Sequence, residues 1–222
     1  MTYRLIVFDI DGTLTTHVSS WQFLHERLGI WDDLADEYQN QFRAGRISYR
    51  RFCELDAAHW KGMETGNLHE LFREIPYSTN AVESVRRLKE DGFVLAAVSS
   101  GVQFIVERVR EDMKLDYAIG NILRVRQGRL TGGVSIRISH LGKAAALRRI
   151  LRRFRIPAEE TIVVGDSDGD VPMLKIAGYA IAFNPTGPTL REAASYVCRT
   201  NDFMEVYEHI RLISRKRIIE KS

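Results

Sequence analysis

The sequence predicts an α/β protein: a doubly wound, mostly parallel sheet with a small helical insert after the first strand. Three observations predict it. First, short β-branched and aromatic runs (Arg4–Phe8, Phe93–Val98, Thr161–Val164, Tyr179–Phe183) recur with helical periodicity between them, the pattern of parallel strands buried on both faces. Second, three of these runs end in polar side chains, Asp9 and Asp11, Ser99, and Asp166, and doubly wound sheets bind ligands at the carboxyl ends of their strands. Third, the segment 16–76 shows helical spacing and no strand.

Each element has a local signal. The first strand runs into Phe8-Asp9-Ile10-Asp11-Gly12-Thr13-Leu14-Thr15. Strand side chains repeat every two residues, so Asp9 and Asp11 point the same way, and Gly12 permits a sharp turn. Two like charges at such range favour a cation between them or a proton on one; a solvated Asp-Gly turn is the plainer alternative. Trp21, Leu24 and Leu28 form a helix closed by Gly29, and Leu34, Tyr38 and Phe42 form a second stopped by Gly45. Ser48 caps a third helix carrying Phe52, Leu55 and Trp60. Asn67 and Glu70 resemble a capping box for a short fourth helix ending before Pro76. Val82, Val85 and Leu88 then form a helix stopped by Gly92, and the strand Phe93–Val98 follows. Ser99-Ser100-Gly101 is read as opening a helix with Ile105, Val109 and Met113. Residues 122–138 predict one or two β-hairpins, with Gln127-Gly128 and Gly132-Gly133 as turns. A helix over 142–154 precedes the strand at Thr161 and the acidic run Gly165-Asp166-Ser167-Asp168-Gly169-Asp170. The domains expected are a core of 1–15 and 77–222 and a helical cap of 16–76.

Composition narrows the function. With 222 residues, 45% of them hydrophobic and 27% charged, the chain has the make-up of a soluble globular protein. No apolar run nears the roughly 18 residues of a membrane span, and the N-terminus lacks a signal-peptide pattern, so a cytoplasmic protein is expected. Cys53 and Cys198 are isolated, which gives no zinc or redox motif. The net charge of +3 is scattered. Arg148-Arg149 and Arg152-Arg153 sit on the polar face of an amphipathic helix, and Arg215-Lys216-Arg217 is similar. Nucleic-acid binders cluster such charge with interleaved aromatics, so neither nucleic acid nor membrane is expected as a partner. Oligomeric state is left open.

Asp9, Asp11 and Asp166 gathered at one point make a hard-oxygen site suited to Mg²⁺. Ser99 offers a hydroxyl beside free backbone N–H groups, a seat for phosphate. Carboxylates repel a phosphoryl group, so a metal and a fixed lysine are also needed. Lys143, following Gly142 at a helix start, is the candidate; a surface lysine is its plainer reading.

Asp9-x-Asp11-Gly-Thr13, Val98-Ser99, Lys143 and Gly165-Asp166-x-x-x-Asp170, in this order, resemble the four motifs of the haloacid dehalogenase superfamily. The helical insert after the first motif is similar to the phosphoserine-phosphatase-like branch, and the resemblance covers nearly the whole chain. It implies a Rossmann-like core and a Mg²⁺-dependent phosphomonoester hydrolase acting on a small phosphorylated metabolite. Asp9 is then the nucleophile that forms an aspartyl-phosphate, and Asp11 the general acid and base. The metal set is Asp9, Asp11 through its carbonyl, Asp166 and Asp170; Ser99, Ser100, Gly101 and Lys143 hold the phosphoryl oxygens, and the insert is a lid. Dehalogenases lack an acid at the position of Asp11, and P-type ATPases carry threonine there, so Asp11 favours phosphatases.

The resemblance also implies a glutamate for the phosphoserine ammonium, whose position falls at His17 or Val18. The cap arginine for its carboxylate falls at Asp56, with Arg50 or Arg51 as possible substitutes, and Gly169 stands where asparagine is usual. His17, Trp21, Tyr49 and Trp60 are candidate pocket residues, against a plainer role in helix packing. The alternatives are a true phosphoserine phosphatase and a non-catalytic phosphometabolite-binding or interaction protein.

Overall fold

The apolar run at the N-terminus forms the centre of the molecule. The computed structural model describes residues 3–30 and 33–219, without the side chains of 33–35 and 215–219. Leu34 and the Arg215-Lys216-Arg217 group therefore lie outside the described side chains. Strand β1 (Leu5–Phe8) is followed by the insert helices α1 (Ser20–Arg27), α2 (Asp33–Arg43), α3 (Tyr49–His59) and α4 (Thr65–Arg73). Then come α5 (Ala81–Glu90), β2 (Val94–Val102), α6 (Gln103–Asp112), β3 (Tyr117–Arg126), β4 (Arg129–Ser135) and α7 (Lys143–Phe154). The chain continues through β5 (Thr161–Gly165), α8 (Val171–Leu174), β6 (Tyr179–Ala182), α9 (Pro188–Ala193), β7 (Tyr196–Val197) and α10 (Met204–Ile219).

The sheet order is β4-β3-β2-β1-β5-β6-β7, with only the β3–β4 pair antiparallel. Connections lead away from β1 in both directions, which places the topological switch point between β1 and β5. The period-2 alternation is visible in burial. Leu5 and Val7 pack with Leu147 and Ile150 of α7, whereas Ile6 and Phe8 join Val85, Ile105 and Val206 on the other face. Trp21, Leu24, Cys53, Trp60 and Phe72 of the insert belong to that second cluster, so the insert shares its apolar core with the sheet.

Several local expectations are corrected. β2 runs through Ser99-Ser100-Gly101 to Val102, and α6 starts only at Gln103. The strand is prolonged because Val102 pairs with Asn121 beyond a register shift. α4 starts at Thr65 with Glu64 as its cap, so Asn67 and Glu70 lie inside the helix. Only Gln127-Gly128 turns the hairpin, with φ of 52° and 72°, the double positive φ of a type I′ turn. Gly132-Gly133 sits within β4. Val82 points outward, leaving Ala81, Val85 and Leu88 as the buried face of α5.

β4 is an edge strand, and the insert covers it. Gly62 N–H donates to Leu130 O at 2.8 Å, Leu130 N–H to Met63 O at 2.8 Å, and Thr65 N–H to Gly128 O at 2.9 Å; Arg129 and Glu64 form an ion pair beside them. An edge strand otherwise presents unpaired backbone groups.

Candidate active site

The site lies at the carboxyl ends of β1, β2 and β5. Asp9 continues β1 by donating its N–H to Val164 O at 2.9 Å, which fixes its side chain beside Asp166. The chain then turns at Gly12, with φ of 85°. A Cβ there would come within 2.5 Å of Asp166 Oδ2, so both the turn and the close approach need glycine.

One oxygen of each of Asp9, Asp166 and Asp170 lies within 4.8 Å of the other two, and all three residues are buried. The Asp11 carboxylate stands apart from this group. Thr13 Oγ1 donates to Asp9 Oδ2 at 3.3 Å and to Asp166 Oδ1 at 3.1 Å. Lys143 is 3% exposed, which excludes the surface-lysine reading. Its Nζ donates to Asp9 Oδ1 and Asp170 Oδ1, each at 2.5 Å. Asp170 Oδ2 accepts from the N–H groups of Asp166 and Ser167 at 3.0 and 3.1 Å. Asp170 therefore anchors the acidic loop while holding the lysine.

The electrostatics follow from burial. Burial, and after it the Asp170 charge, raises the Asp9 carboxyl well above the usual range, while Lys143 opposes the shift. Burial and Asp170 push Asp166 up to about 7. Burial disfavours the Lys143 ammonium, but Asp170 and Asp9 outweigh it and hold its pKa above the ordinary lysine value. Three buried carboxylates against one ammonium leave negative charge uncompensated, and the donors are hard oxygens. The residues present fit a divalent cation.

The serines differ from expectation. Ser99 Oγ accepts from Gly101 N–H at 2.8 Å and donates to Asp11 Oδ2 at 3.3 Å. The Gly101 N–H is thus committed to Ser99, and no helix N-terminus stands there. The Ser100 carbonyl collects Trp21 Nε1, Tyr49 Oη and Asn121 Nδ2 at 3.0, 2.9 and 2.8 Å.

A cavity of about 580 Å³ leads from Lys143 and Ser100 into the insert. Of the candidate pocket residues, Trp21 and Tyr49 line it, while His17, Arg50 and Arg51 do not. His17 instead faces Glu26 at 3.1 Å and packs edge-on against Phe23. Arg51 points outward beside Glu54, and Arg50 is exposed. Trp60 is fully buried and stacks on Trp21 at 5.5 Å. Asp56 is also buried, 3.4 Å from His25, and does not line the cavity. Val18, Gln22, Gln39, Phe42, Arg43 and His140 complete much of the wall. The periodicity of α2 had marked Phe42 as a packing residue, but nothing in the sequence pointed Gln39, Arg43 or His140 at the cavity.

A buried aspartate at the end of β1, a buried lysine and an acidic loop on a doubly wound sheet are arranged as in hydrolases of the haloacid dehalogenase type. The model of the haloacid dehalogenase-like hydrolase family matches residues 6–175, and the chain belongs to that family. It is 36% identical over 182 residues to a phosphoserine phosphatase of Archaeoglobus fulgidus, covering 82% of this chain but only 52% of that relative. The phosphoserine phosphatase of Methanocaldococcus jannaschii is 29% identical, with 94% and 98% of the two chains aligned. A solved structure of a substrate-bound phosphoserine phosphatase complex superposes with a TM-score of 0.80 at 27% identity, over 94% of this chain and 99% of that one. Another, of a phospho-aspartyl intermediate analogue of phosphoserine phosphatase, gives 0.79 at 28% identity, over the same 94% and 99%.

Proposed function

We propose that the chain is a Mg²⁺-dependent phosphomonoester hydrolase acting through an aspartyl-phosphate on a small phosphorylated metabolite, with residues 16–76 as a cap over a core of 1–15 and 77–222. The observation that carries this reading is the grip on Asp9. Lys143 holds one carboxylate oxygen and Thr13 the other, and Lys143 also lines a cavity large enough for a small ligand. Lys143 opposes the effect of burial on Asp9 and so favours the ionised carboxylate that a nucleophile requires. Asp9 attacks phosphorus, and Asp11 protonates the departing oxygen; Asp11 then takes a proton from the water that opens the acyl phosphate. Asp9, Asp166 and the Asp11 carbonyl, with Asp170 in support, would hold the metal. When bound, it supplies charge neutralisation for the phosphoryl oxygens.

Lys143→Ala is expected to lower kcat/KM by roughly 10²-fold or more, the scale for losing one preorganised electrostatic contact. The folded far-ultraviolet dichroism should persist. An unchanged kcat/KM would reduce Lys143 to a counter-ion for Asp170.

Phosphoserine is expected to be a poorer substrate than at least one other small phosphate ester. Val18 lines the cavity where a glutamate for the ammonium is implied, and the described lining residues include no carboxylate. A buried ammonium without a partner is strongly disfavoured. The test is kcat/KM for phosphoserine beside a panel of phosphorylated metabolites at saturating Mg²⁺, with a deficit of roughly a hundredfold expected. Phosphoserine as the best substrate by a wide margin would establish the alternative, a true phosphoserine phosphatase.

A further inference from the structure

The first helix of the insert reaches the proposed acid directly. Ser20, the first residue of α1, is fully buried. Its Oγ lies 3.0 Å from Asp11 Oδ2 and 3.2 Å from Val102 N. The Val102 N–H can only donate, so it occupies a lone pair of the Ser20 hydroxyl and leaves the hydroxyl proton to point at Asp11. Ser99 is arranged in the same way: it accepts from Gly101 N–H and donates to the same carboxylate oxygen. Asp11 Oδ2 thus faces two hydroxyls whose donor direction is set by backbone. Asp11 Oδ1 is buried and has no hydrogen-bond partner among the described residues. The backbone is shaped to allow this, since a Cβ at Gly101 would fall 2.3 Å from both Asp11 Oδ2 and Ser20 Oγ.

We infer that Ser20 is a positioning residue for Asp11. With Ser99 it pins Oδ2 as a pure acceptor and assigns the transferable proton to Oδ1. As the bond from Asp9 to phosphorus forms and the ester P–O bond breaks, the electron pair of that bond goes to the leaving oxygen, and the Oδ1 proton moves onto it. Because Ser20 stands on the insert, the acid is fully oriented only when α1 is seated on β2. This inference rests on the reading of Asp11 as the general acid.

The test compares the wild type, Ser20→Ala and Asp11→Asn on p-nitrophenyl phosphate, phenyl phosphate and an alkyl phosphate turned over by the wild type. A p-nitrophenolate leaves without help, whereas an alkoxide needs a proton, so loss of acid orientation appears as a steeper dependence on the leaving group. Ser20→Ala is expected to keep p-nitrophenyl phosphate hydrolysis within about twofold and to lose roughly tenfold in kcat on the alkyl ester, a fraction of the 10²–10⁴ available from general acid catalysis. KM should be little changed. The p-nitrophenyl phosphate rate of the same variant also reports that it is folded. An equal loss on all three esters, or none, would make Ser20 a packing residue and overturn the inference. If Asp11→Asn shows the leaving-group dependence and Ser20→Ala does not, only the role of Ser20 fails. If Asp11→Asn shows no such dependence, the acid assignment fails and the inference with it.

Discussion

Asp9→Asn is expected to abolish turnover of every phosphate ester, aryl esters included, while leaving the protein folded. An amide is a poor nucleophile, and no other carboxylate can replace it, because Asp166 and Asp170 are held back by Thr13 and by the loop's own N–H groups. The loss should match that of a nucleophile deletion, on the order of 10⁴-fold or more in kcat. The readout is steady-state hydrolysis of p-nitrophenyl phosphate, with denaturing gel or mass detection of a phosphorylated chain in the wild type only. Near-normal turnover by Asp9→Asn would rule out a covalent route through this residue.

Removal of divalent cations with EDTA is expected to abolish hydrolysis, and Mg²⁺ to restore it, because the buried carboxylates carry more charge than Lys143 balances. A second consequence concerns stability. Asp166 is pushed up to about 7 by burial and by Asp170, against an ordinary carboxylate value of 3.8. Between those values the metal-free native state keeps a proton that the unfolded chain has released. Stability from this group is therefore complete below the unfolded value and is lost as pH rises through the folded one. The Tm of the EDTA-treated protein should fall between about pH 4 and pH 7, and added Mg²⁺ should raise Tm more at the higher pH. Full activity in metal-free buffer, or a Tm rising over that range without metal, would contradict the site as described.

Much of this centre was legible because it sits on strand ends. Asp9 and Asp166 each close an apolar run, and a doubly wound sheet brings such ends together whatever the loops do. Lys143 was legible from order alone, and its burial was not. Ser99 lies beside Asp11, but on a strand and not at a helix start: Ser-Ser-Gly carries cap and turn chemistry, yet pairing with β3 and the hydroxyl of Ser20 carry the strand onward to Val102. The cavity wall was harder. His17 and Val18 are adjacent, and only the cap geometry at Ser19, whose side chain accepts from Gln22 N–H, decides which one faces inward. Ser20 is the second of two adjacent serines, and Asn121 is a single polar residue among apolar neighbours. Their partners, Asp11 across the turn and loop before α1 for one and the backbone of Ser100, Arg137 and Ile138 for the other, are set only by the assembled fold.

The clasp between residues 62–65 and the hairpin bears on how ligands come and go. The insert is fastened at its root, where Thr16 N–H meets Pro76 O at 3.0 Å, and again at its distal end on β4. A rotation about the two root segments alone would tear the distal backbone bonds and leave a sheet margin bare. The hairpin and the insert are therefore one mechanical unit. If the proposed cap opens to admit a substrate while that clasp holds, β3 and β4 bend along with the helices, and the stiffness of the Gln127-Gly128 hairpin enters the rate of opening.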